Sequence, residues 1–271
     1  SGLDMSVMIR KVNPNARIVI LSAFSEASYL IRAIEIGIKN FLIKPVDNQQ
    51  ILQAIVEQAR EIAYENKLIE EEQKRIKAEL ELKHNEQILQ AVSETAEHLL
   101  KHGFNKKSFD FSLACLGHAT KVSRVYFFEN FRQDDQNFSR QTHEWVSVGI
   151  EPQIDNTGLM YVPHDDPSFS RWAQMLRSGR TINGLIKHFP EAEREILEPQ
   201  NIVSLVAIPV FVQNEWFGFI GFDDCVTERI WSASEINSLT TAANLLGAAI
   251  HRTSIENELQ HLNAELEDRV E

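Results

Sequence analysis

Cysteine is scarce in this sequence, and its scarcity excludes two classes of protein. The 271 residues contain only Cys115 and Cys225, with no CxxC pair. Two cysteines are too few for the disulfide framework of a small secreted domain, and their spacing matches no zinc site. The cysteine content is typical of a reducing compartment, so we expect a cytoplasmic location.

Long apolar runs and an excess of positive charge are also missing. No apolar stretch approaches the roughly 18 residues that a membrane-spanning helix needs, and the first residues lack the basic-then-apolar pattern of a signal peptide. Lys and Arg total 27 against 39 Asp and Glu, which gives a formal net charge of -12. Because no local basic patch offsets that charge, it should repel phosphate backbones and anionic lipids. We therefore expect a soluble protein that binds neither nucleic acid nor a membrane.

The opening residues alternate strand and helix patterns. RIVILSA (17–23) is a short β-branched run typical of a strand buried on both faces of a parallel sheet. NFLIKP (40–45) is a second such run, and the segment between the two has the apolar spacing of a helix. Asp47 and Gln50 have the spacing of a capping box, which starts a further helix. This order predicts half of a doubly wound α/β sheet.

These first residues, to about position 55, resemble the receiver domain of two-component response regulators. SGLDMSVMIRK is similar to the third helix of that domain, ILSA to its fourth strand and FLIKPVD to its fifth strand. The resemblance implies that Ser22 contacts a phosphoryl group, that Phe41 is a switch aromatic, and that Lys44 pairs with the phosphate and precedes a cis proline. It also implies a histidine kinase as partner of a full-length receiver. The acidic pair and acceptor aspartate of the family would precede Ser1, so we expect no phosphorylation chemistry in this chain.

A segment without Pro or Gly follows, from Asp47 to about Lys101, and it predicts one long helix. Apolar, small and polar residues recur along it at alternating steps of four and three, which is a heptad seam. A solvated single helix is one interpretation, but it would expose the isoleucines of the seam. We favour a parallel homodimeric coiled coil, with the polar positions fixing its register. The central seam residues are Ile62, Asn66, Ile69, Gln73 and Ile76.

After Gly103 the sequence changes to short strands with helical pieces between them. The predicted strands are SRVYFFENF, THEWVSVGI, TINGLI, SLVAIPVFV and EWFGFIGFDD. Gln213-Asn214 should join the last two as a tight hairpin. Helices are predicted at 169–176, at 191–197 and from Ser232, which has Glu235 in capping-box spacing. The pattern predicts an α+β fold built on an antiparallel sheet.

This second region resembles a GAF domain of bacterial histidine kinases and diguanylate cyclases over nearly its whole length. The likeness is carried by VSRVYFFEN, HEWVSVGIEPQIDN, ILEPQNIVSLVAIPVFVQNEWFGFIGFDDC and ERIWSASEI. It implies terminal helices on one face of the sheet and a small-molecule pocket on the other, but it does not name the ligand. The signature of cyclic-nucleotide-binding GAF domains is not found, and no cysteine stands at a recognisable bilin attachment position. The cofactor is unknown at this stage.

Candidate ligand contacts are five aromatic residues, which would line an apolar pocket or simply pack the core. Asp223 and Asp224 with Glu228 have the composition of a cation site, but we favour an ion pair with Arg229. The histidines are scattered without metal-ligand spacing, so no metal site is predicted. The five aromatic candidates are Tyr126, Phe128, Trp145, Trp172 and Phe219.

The predicted fold class is α+β: a GAF-type antiparallel sheet with helices on both faces, preceded by a partial flavodoxin-like α/β receiver segment and a long coiled-coil helix. The predicted domains are half a receiver (1–54), a signalling helix (55–102), a GAF domain (103–250) and the start of an output linker (251–271). The predicted function is a non-catalytic sensory fragment that relays a signal to a histidine kinase or diguanylate cyclase output domain. The alternative is a GAF-fold redox enzyme such as a free-methionine sulfoxide reductase, which two distant cysteines disfavour.

Overall fold

A computed structural model of the chain describes residues 2–23 and 27–270, and side chains for all of these except 266–270. The chain divides into two compact units, Ser1–Glu79 and Leu80–Glu271. The division falls within one continuous helix. None of the helices in the described part of the chain combines the length and hydropathy that a bilayer crossing requires.

The first unit contains a two-stranded parallel sheet. Strands β1 and β2 pair with Val19 opposite Asn40 and Ser22 opposite Ile43. A small core of Leu3, Ile20, Ala33 and Ile38 holds the helices against this sheet. The predicted order of strand, helix and parallel strand is confirmed. The elements are α1 (Gly2–Val12), β1 (Val19–Ser22), α2 (Ala27–Glu35), β2 (Asn40–Ile43) and the first part of α3 (Asn48–His102).

Helix α3 begins with the predicted capping box. The backbone N–H of Gln50 donates to Asp47 Oδ1 at 2.8 Å, and the N–H of Asp47 donates to Gln50 Oε1 at 3.2 Å. Each side chain thereby satisfies a backbone donor that has no partner within the helix. The start of the long helix is therefore encoded locally.

The second unit contains a six-stranded antiparallel sheet in the order β5-β4-β3-β8-β7-β6. The turn between β7 and β8 places Gln213 at φ 50° and Asn214 at φ 67°, the backbone of the predicted hairpin. The elements after α3 are α4 (Lys106–Thr120), β3 (Arg124–Gln133), β4 (Gln136–Val146), β5 (Val162–Pro163), α5 (Ser170–Arg177), β6 (Ile182–Leu185), α6 (Glu191–Leu197), β7 (Ser204–Val212), β8 (Glu215–Asp224) and α7 (Ala233–Val270).

The central strands of this sheet bury side chains on both faces. On β3, Phe127 belongs to a core that includes residues of α3, α4 and α7, and its neighbour Phe128 belongs to a second core on the opposite face. On β8, Ile220 belongs to the first of these cores and Phe219 belongs to the second. Successive side chains of a strand point to opposite faces, so each central strand contributes to both cores.

A β-bulge in β4 changes this alternation. Phe127 lies opposite His143 but Phe128 lies opposite Gln141, so Thr142 is the additional residue. As a result Trp145 packs against the core on the helix side, over α4. The prediction that Trp145 lines a ligand pocket with four other aromatic residues is therefore wrong, because the extra residue of the bulge places Trp145 on the helix side of the sheet.

The packing of Trp145 depends on Gly117 in α4. A Cβ added at Gly117 would lie 2.2 Å from Trp145 Cε3, which is far inside van der Waals contact. We expect Gly117→Ala to lower the free energy of unfolding by about 1–3 kcal/mol through overpacking. Alanine otherwise favours a helix by about 1 kcal/mol over glycine, so the sign of the effect is diagnostic.

Urea unfolding of the Gly117→Ala variant measures this cost. Lys107→Ala on the exposed surface of the same helix is the control, and its stability should stay within about 0.5 kcal/mol of the unchanged chain. A Gly117→Ala variant as stable as the control would contradict the close packing of Trp145.

Candidate functional site

A cavity of about 240 Å³ lies on the face of the sheet opposite α4 and α7. Phe128 and Phe219 on neighbouring strands form part of its wall, with ring centroids 4.8 Å apart and planes 9° apart. Phe169 and Trp172 face them from the start of α5. The structure thus brings together four of the five aromatic residues predicted for a pocket: Tyr126, Phe128, Trp172 and Phe219.

One buried carboxylate ties α5 to α6 beside the cavity. Glu193 is 2% exposed and accepts two hydrogen bonds from Arg171, each 2.6 Å long. The Trp172 indole N–H also donates to Glu193, at 2.8 Å. Paired hydrogen bonds between a guanidinium and a carboxylate are strong and directional. Glu193 therefore fixes the orientation of the Trp172 ring in the cavity wall.

A buried ion pair forms the polar end of the cavity. Arg124 is 1% exposed and its Nη2 lies 3.2 Å from Asp223 Oδ2. The Tyr126 hydroxyl donates to Asp223 Oδ1 at 2.9 Å, and Arg124 also donates to the backbone carbonyl of Gln200 at 3.1 Å. Burial raises the pKa of Asp223 to about 6 although Arg124 opposes the shift, and burial raises the pKa of Tyr126 well above its usual value. Tyr126 is thus a neutral hydrogen-bond donor at physiological pH.

The acidic residues at the end of β8 do not pair as predicted. Asp224 accepts hydrogen bonds from the backbone N–H groups of Val226 and Thr227, and Glu228 pairs with Lys187. Arg229 binds Glu235 at the start of α7 rather than either aspartate. The prediction that Arg229 pairs with Asp223 and Asp224 is therefore wrong, because Arg124 reaches Asp223 from the adjacent strand. Among the residues that the structure describes, no group of His, Cys, Asp or Glu side chains is arranged to hold a metal ion.

Two further polar side chains of β4 line the cavity. Glu144 accepts hydrogen bonds from the backbone N–H groups of Gln153 and Ile154, at 2.8 and 3.0 Å. Gln141 is 6% exposed, and its buried Nε2 has no hydrogen-bond partner. Neither residue was predicted for the site, because the extra residue of the bulge changes which face of β4 each side chain occupies. Arg124 was not predicted either, although an arginine inside an otherwise apolar strand is an unusual feature.

The receiver candidates lie at the adjacent ends of β1 and β2. The backbone N–H of Lys44 donates to the carbonyl of Ser22 at 2.8 Å, and the Lys44-Pro45 peptide is cis. Ser22 is buried, Lys44 is exposed, and Phe41 contacts the ring of Tyr29 edge to face. The structure therefore places Ser22 and Lys44 side by side, and their roles in binding a phosphoryl group stay predictions.

Two known families match this chain. The response regulator receiver domain matches residues 1–56, and the GAF domain matches residues 109–250, which is just over half of the chain. The chain belongs to the GAF domain family and carries a receiver segment before that domain.

Curated relatives connect both segments with signalling. The methanogenesis regulatory histidine kinase FilI of Methanothrix harundinacea is 40% identical over 158 residues, which is 58% of this chain and 18% of the kinase. The chemotaxis protein CheY of Thermotoga maritima is 34% identical over 55 residues, which is 20% of this chain and 46% of CheY. The chain thus spans less than half of either relative. Together with the two families, the relatives support a sensory protein of signal transduction.

Solved structures share the fold of the second unit. The structure of JSC1_58120g3 with bound biliverdin, in its far-red absorbing dark state, has a TM-score of 0.51 at 16% identity. The match covers 60% of this chain and 99% of that chain. The phycocyanobilin-bound GAF domain of a cyanobacterial phytochrome has a TM-score of 0.51 at 15% identity, covering 64% and 96%. At these identities the likeness shows the fold alone.

The Arg124–Asp223 pair makes a testable prediction about stability. Arg124→Met should lower the free energy of unfolding by about 3–5 kcal/mol, because it leaves a buried carboxylate without its partner. The double variant Arg124→Met with Asp223→Leu should recover much of that loss, since no buried charge remains.

Urea unfolding at pH 7.5 measures the stability of the unchanged chain, Arg124→Met, Asp223→Leu and the double variant. Arg132→Met on the same strand is the control, because Arg132 forms an exposed pair with Asp135 that should contribute less than about 1 kcal/mol. If the double variant loses as much stability as the sum of both single variants, Arg124 and Asp223 are not coupled.

Proposed function

We propose that this chain is a non-catalytic sensory segment whose GAF cavity binds a small molecule and whose long helices relay the signal, as a parallel homodimer, to a histidine kinase or diguanylate cyclase domain. The observation that carries this proposal is the cavity itself. It is walled by aromatic side chains held in fixed orientations and contains a buried polar group without a partner, features typical of a ligand site.

The cysteines support the non-catalytic part of the proposal. Burial raises the pKa of the thiols of Cys115 and Cys225, whereas a reactive thiol needs a lowered pKa. Neither cysteine lines the described cavity. These features disfavour a free-methionine sulfoxide reductase, and an assay of thiol-dependent methionine sulfoxide reduction by this chain should give no turnover. The same absence of a cavity thiol disfavours a covalently attached bilin, so no pigment is proposed.

The central strands offer a route from the cavity to the helices. Phe128 and Phe219 contact the cavity, whereas their neighbours Phe127 and Ile220 pack in the core that contains Ile88 of α3 and residues of α7. A ligand that shifts β3 or β8 therefore alters the packing surface of α3 and α7. Small displacements of packed helices are an established form of signal transmission in proteins.

The heptad seam of α3 supports a dimer. Ile62, Ile69 and Ile76 are 38%, 57% and 47% exposed, and Asn66 and Gln73 between them are also exposed. Isoleucines seven residues apart meet their own copies at the same layer of a parallel coiled coil. Ile255, Leu259 and Leu262 of α7 are exposed with similar spacing. Leu266, four residues after Leu262, has the spacing to continue that series but lies outside the residues whose side chains are described.

Ligand sensing predicts that a small molecule raises the melting temperature of this chain in a saturable way. A metabolite library screened by thermal unfolding should yield such a compound, whereas cyclic AMP and cyclic GMP should give no shift. Ile196→Trp should abolish the shift, because Ile196 lines the cavity yet is 42% exposed and therefore stands at its rim.

A matched variant controls for the added indole. Ile230→Trp changes a residue that is 84% exposed and outside the cavity lining, so it should keep the full ligand-induced shift. A library without any stabilising compound, or a shift that survives Ile196→Trp unchanged, would contradict ligand binding in this cavity.

Dimerisation is tested by placing charge in the seam. Ile62→Lys with Ile69→Lys should convert dimers to monomers in sedimentation experiments, because like charges would meet at two layers of the coiled coil. Tyr64→Lys with Ala78→Lys adds the same charge to exposed outer positions of α3 and should leave the dimer intact. The dimer proposal fails if the unchanged chain is monomeric at about 50 μM, a concentration that corresponds to an association free energy of about -6 kcal/mol.

A further inference from the structure

The cavity wall carries an unbalanced set of charges. Four carboxylates line it; Arg124 in the lining pairs with Asp223, and Arg171 outside the lining pairs with Glu193. Arg124 donates to Asp223 and to the backbone carbonyls of Gln200 and Glu151. The described lining therefore offers no uncommitted cation to a carboxylate or phosphate group of a ligand. The negative charges of Glu144 and Asp166, for which the structure describes no ion pair, would repel such a group. The four carboxylates belong to Glu144, Asp166, Glu193 and Asp223.

Each of these carboxylates already accepts hydrogen bonds from the protein. Besides the contacts of Glu144, Glu193 and Asp223 described above, Asp166 accepts from the backbone N–H and the hydroxyl of Ser168. A ligand cation would have to leave water and compete with these donors, at a high desolvation cost. The charged groups of the cavity thus hold neighbouring backbone and side chains in place, and they favour a ligand without net charge.

Gln141 supplies the polar contact that the cavity leaves open. Its side chain is more than nine-tenths buried, lines the cavity, and has a buried amide nitrogen without a hydrogen-bond partner. The nitrogen is enclosed by protein, so a ligand acceptor reaches it when the terminal amide of Gln141 rotates toward the cavity. A buried donor without a partner destabilises the protein, so the new hydrogen bond adds affinity. A carbonyl oxygen or an unprotonated ring nitrogen is such an acceptor.

The remaining lining selects for shape and size. Phe128 and Phe219 are stacked on the sheet side, and the rings of Phe169 and Trp172 pack against Phe219, with centroids 5.9 and 6.0 Å from it. Aromatic side chains favour a planar aromatic ligand through stacked and edge-to-face contacts. A volume of about 240 Å³ is below the range of roughly 300–1,000 Å³ typical for drug-sized ligands, so the ligand is small.

We infer that the cavity selects a small, uncharged, planar aromatic molecule whose hydrogen-bond acceptor is bound by the amide of Gln141. This inference rests on the proposed ligand-binding function and adds the chemical class of the ligand. Gln141 is the specificity-determining residue, and the lack of an uncommitted cation excludes anionic relatives of the same shape.

Matched pairs of probes test the inference on the whole 271-residue chain. Naphthalene-2-carboxamide and indole-3-carboxamide are neutral and carry a carbonyl acceptor, whereas naphthalene-2-carboxylate and indole-3-carboxylate have the same shape and a negative charge. In calorimetric titrations at pH 7.5 the carboxamides should bind at least about tenfold more tightly than the carboxylates. Gln141→Met should weaken carboxamide binding about tenfold, the effect of losing one hydrogen bond.

A second methionine variant on the same strand is the control. Gln136→Met replaces an exposed glutamine at the start of β4 and should leave carboxamide binding unchanged. Carboxamide binding that is insensitive to Gln141→Met would overturn the assigned role of Gln141.

The remaining outcomes separate this inference from the proposed function. Carboxylates that bind as tightly as the carboxamides would overturn the inference while leaving ligand sensing intact. If none of the four probes binds, the compound found by the metabolite library decides: a neutral compound weakened by Gln141→Met supports the inference, and an anionic compound overturns it. If neither the probes nor the library yields a ligand, both proposals fail.

Discussion

The pairing of β3 with β8 is the constraint on which the second unit depends. These strands lie at the centre of the sheet and bury apolar side chains on both faces. Gly221 allows this pairing to carry the Tyr126 ring, since a Cβ added there would lie 2.1 Å from that ring. With the ring lying across β8, its hydroxyl reaches Asp223 two residues further along the strand. The absence of a side chain at Gly221 thus allows Tyr126 of β3 to cross β8 and bind Asp223 at the polar end of the cavity.

The charged groups around the cavity act mainly as supports for apolar walls. Glu193 joins α5 to α6, Glu144 holds the backbone at Gln153 and Ile154, and the Arg124–Asp223 pair anchors Tyr126. Buried ion pairs contribute little net stability, but removing one partner is costly because it leaves an uncompensated charge. Few of these paired side chains can therefore be substituted without a loss of stability, whereas Gln141 is available to the proposed ligand.

The parts of the fold encoded by neighbouring residues were predictable from the sequence. The capping boxes at Asp47 and Ser232 and the hairpin at Gln213-Asn214 all form as predicted, because each depends on residues within a few positions. The tight turn at Asp134-Asp135, with φ of 48° and 63°, was missed, so β4 begins well before the predicted strand. The side of Trp145 and the partner of Asp223 were also predicted wrongly. Both depend on contacts between strands, and the spacing along one strand does not reveal an extra residue in a bulge.

A sheet with one core on each face couples the two cores thermodynamically. If the cavity ligand changes the stability of the packing of α3 and α7, then any partner that stabilises this packing must change the ligand affinity by the same factor. The coupling is reciprocal, and it acts in the absence of direct contact between ligand and partner. In the proposed sensor, the ligand concentration that produces a response is therefore a property of the assembled protein. A proposed output domain on these helices would shift that concentration.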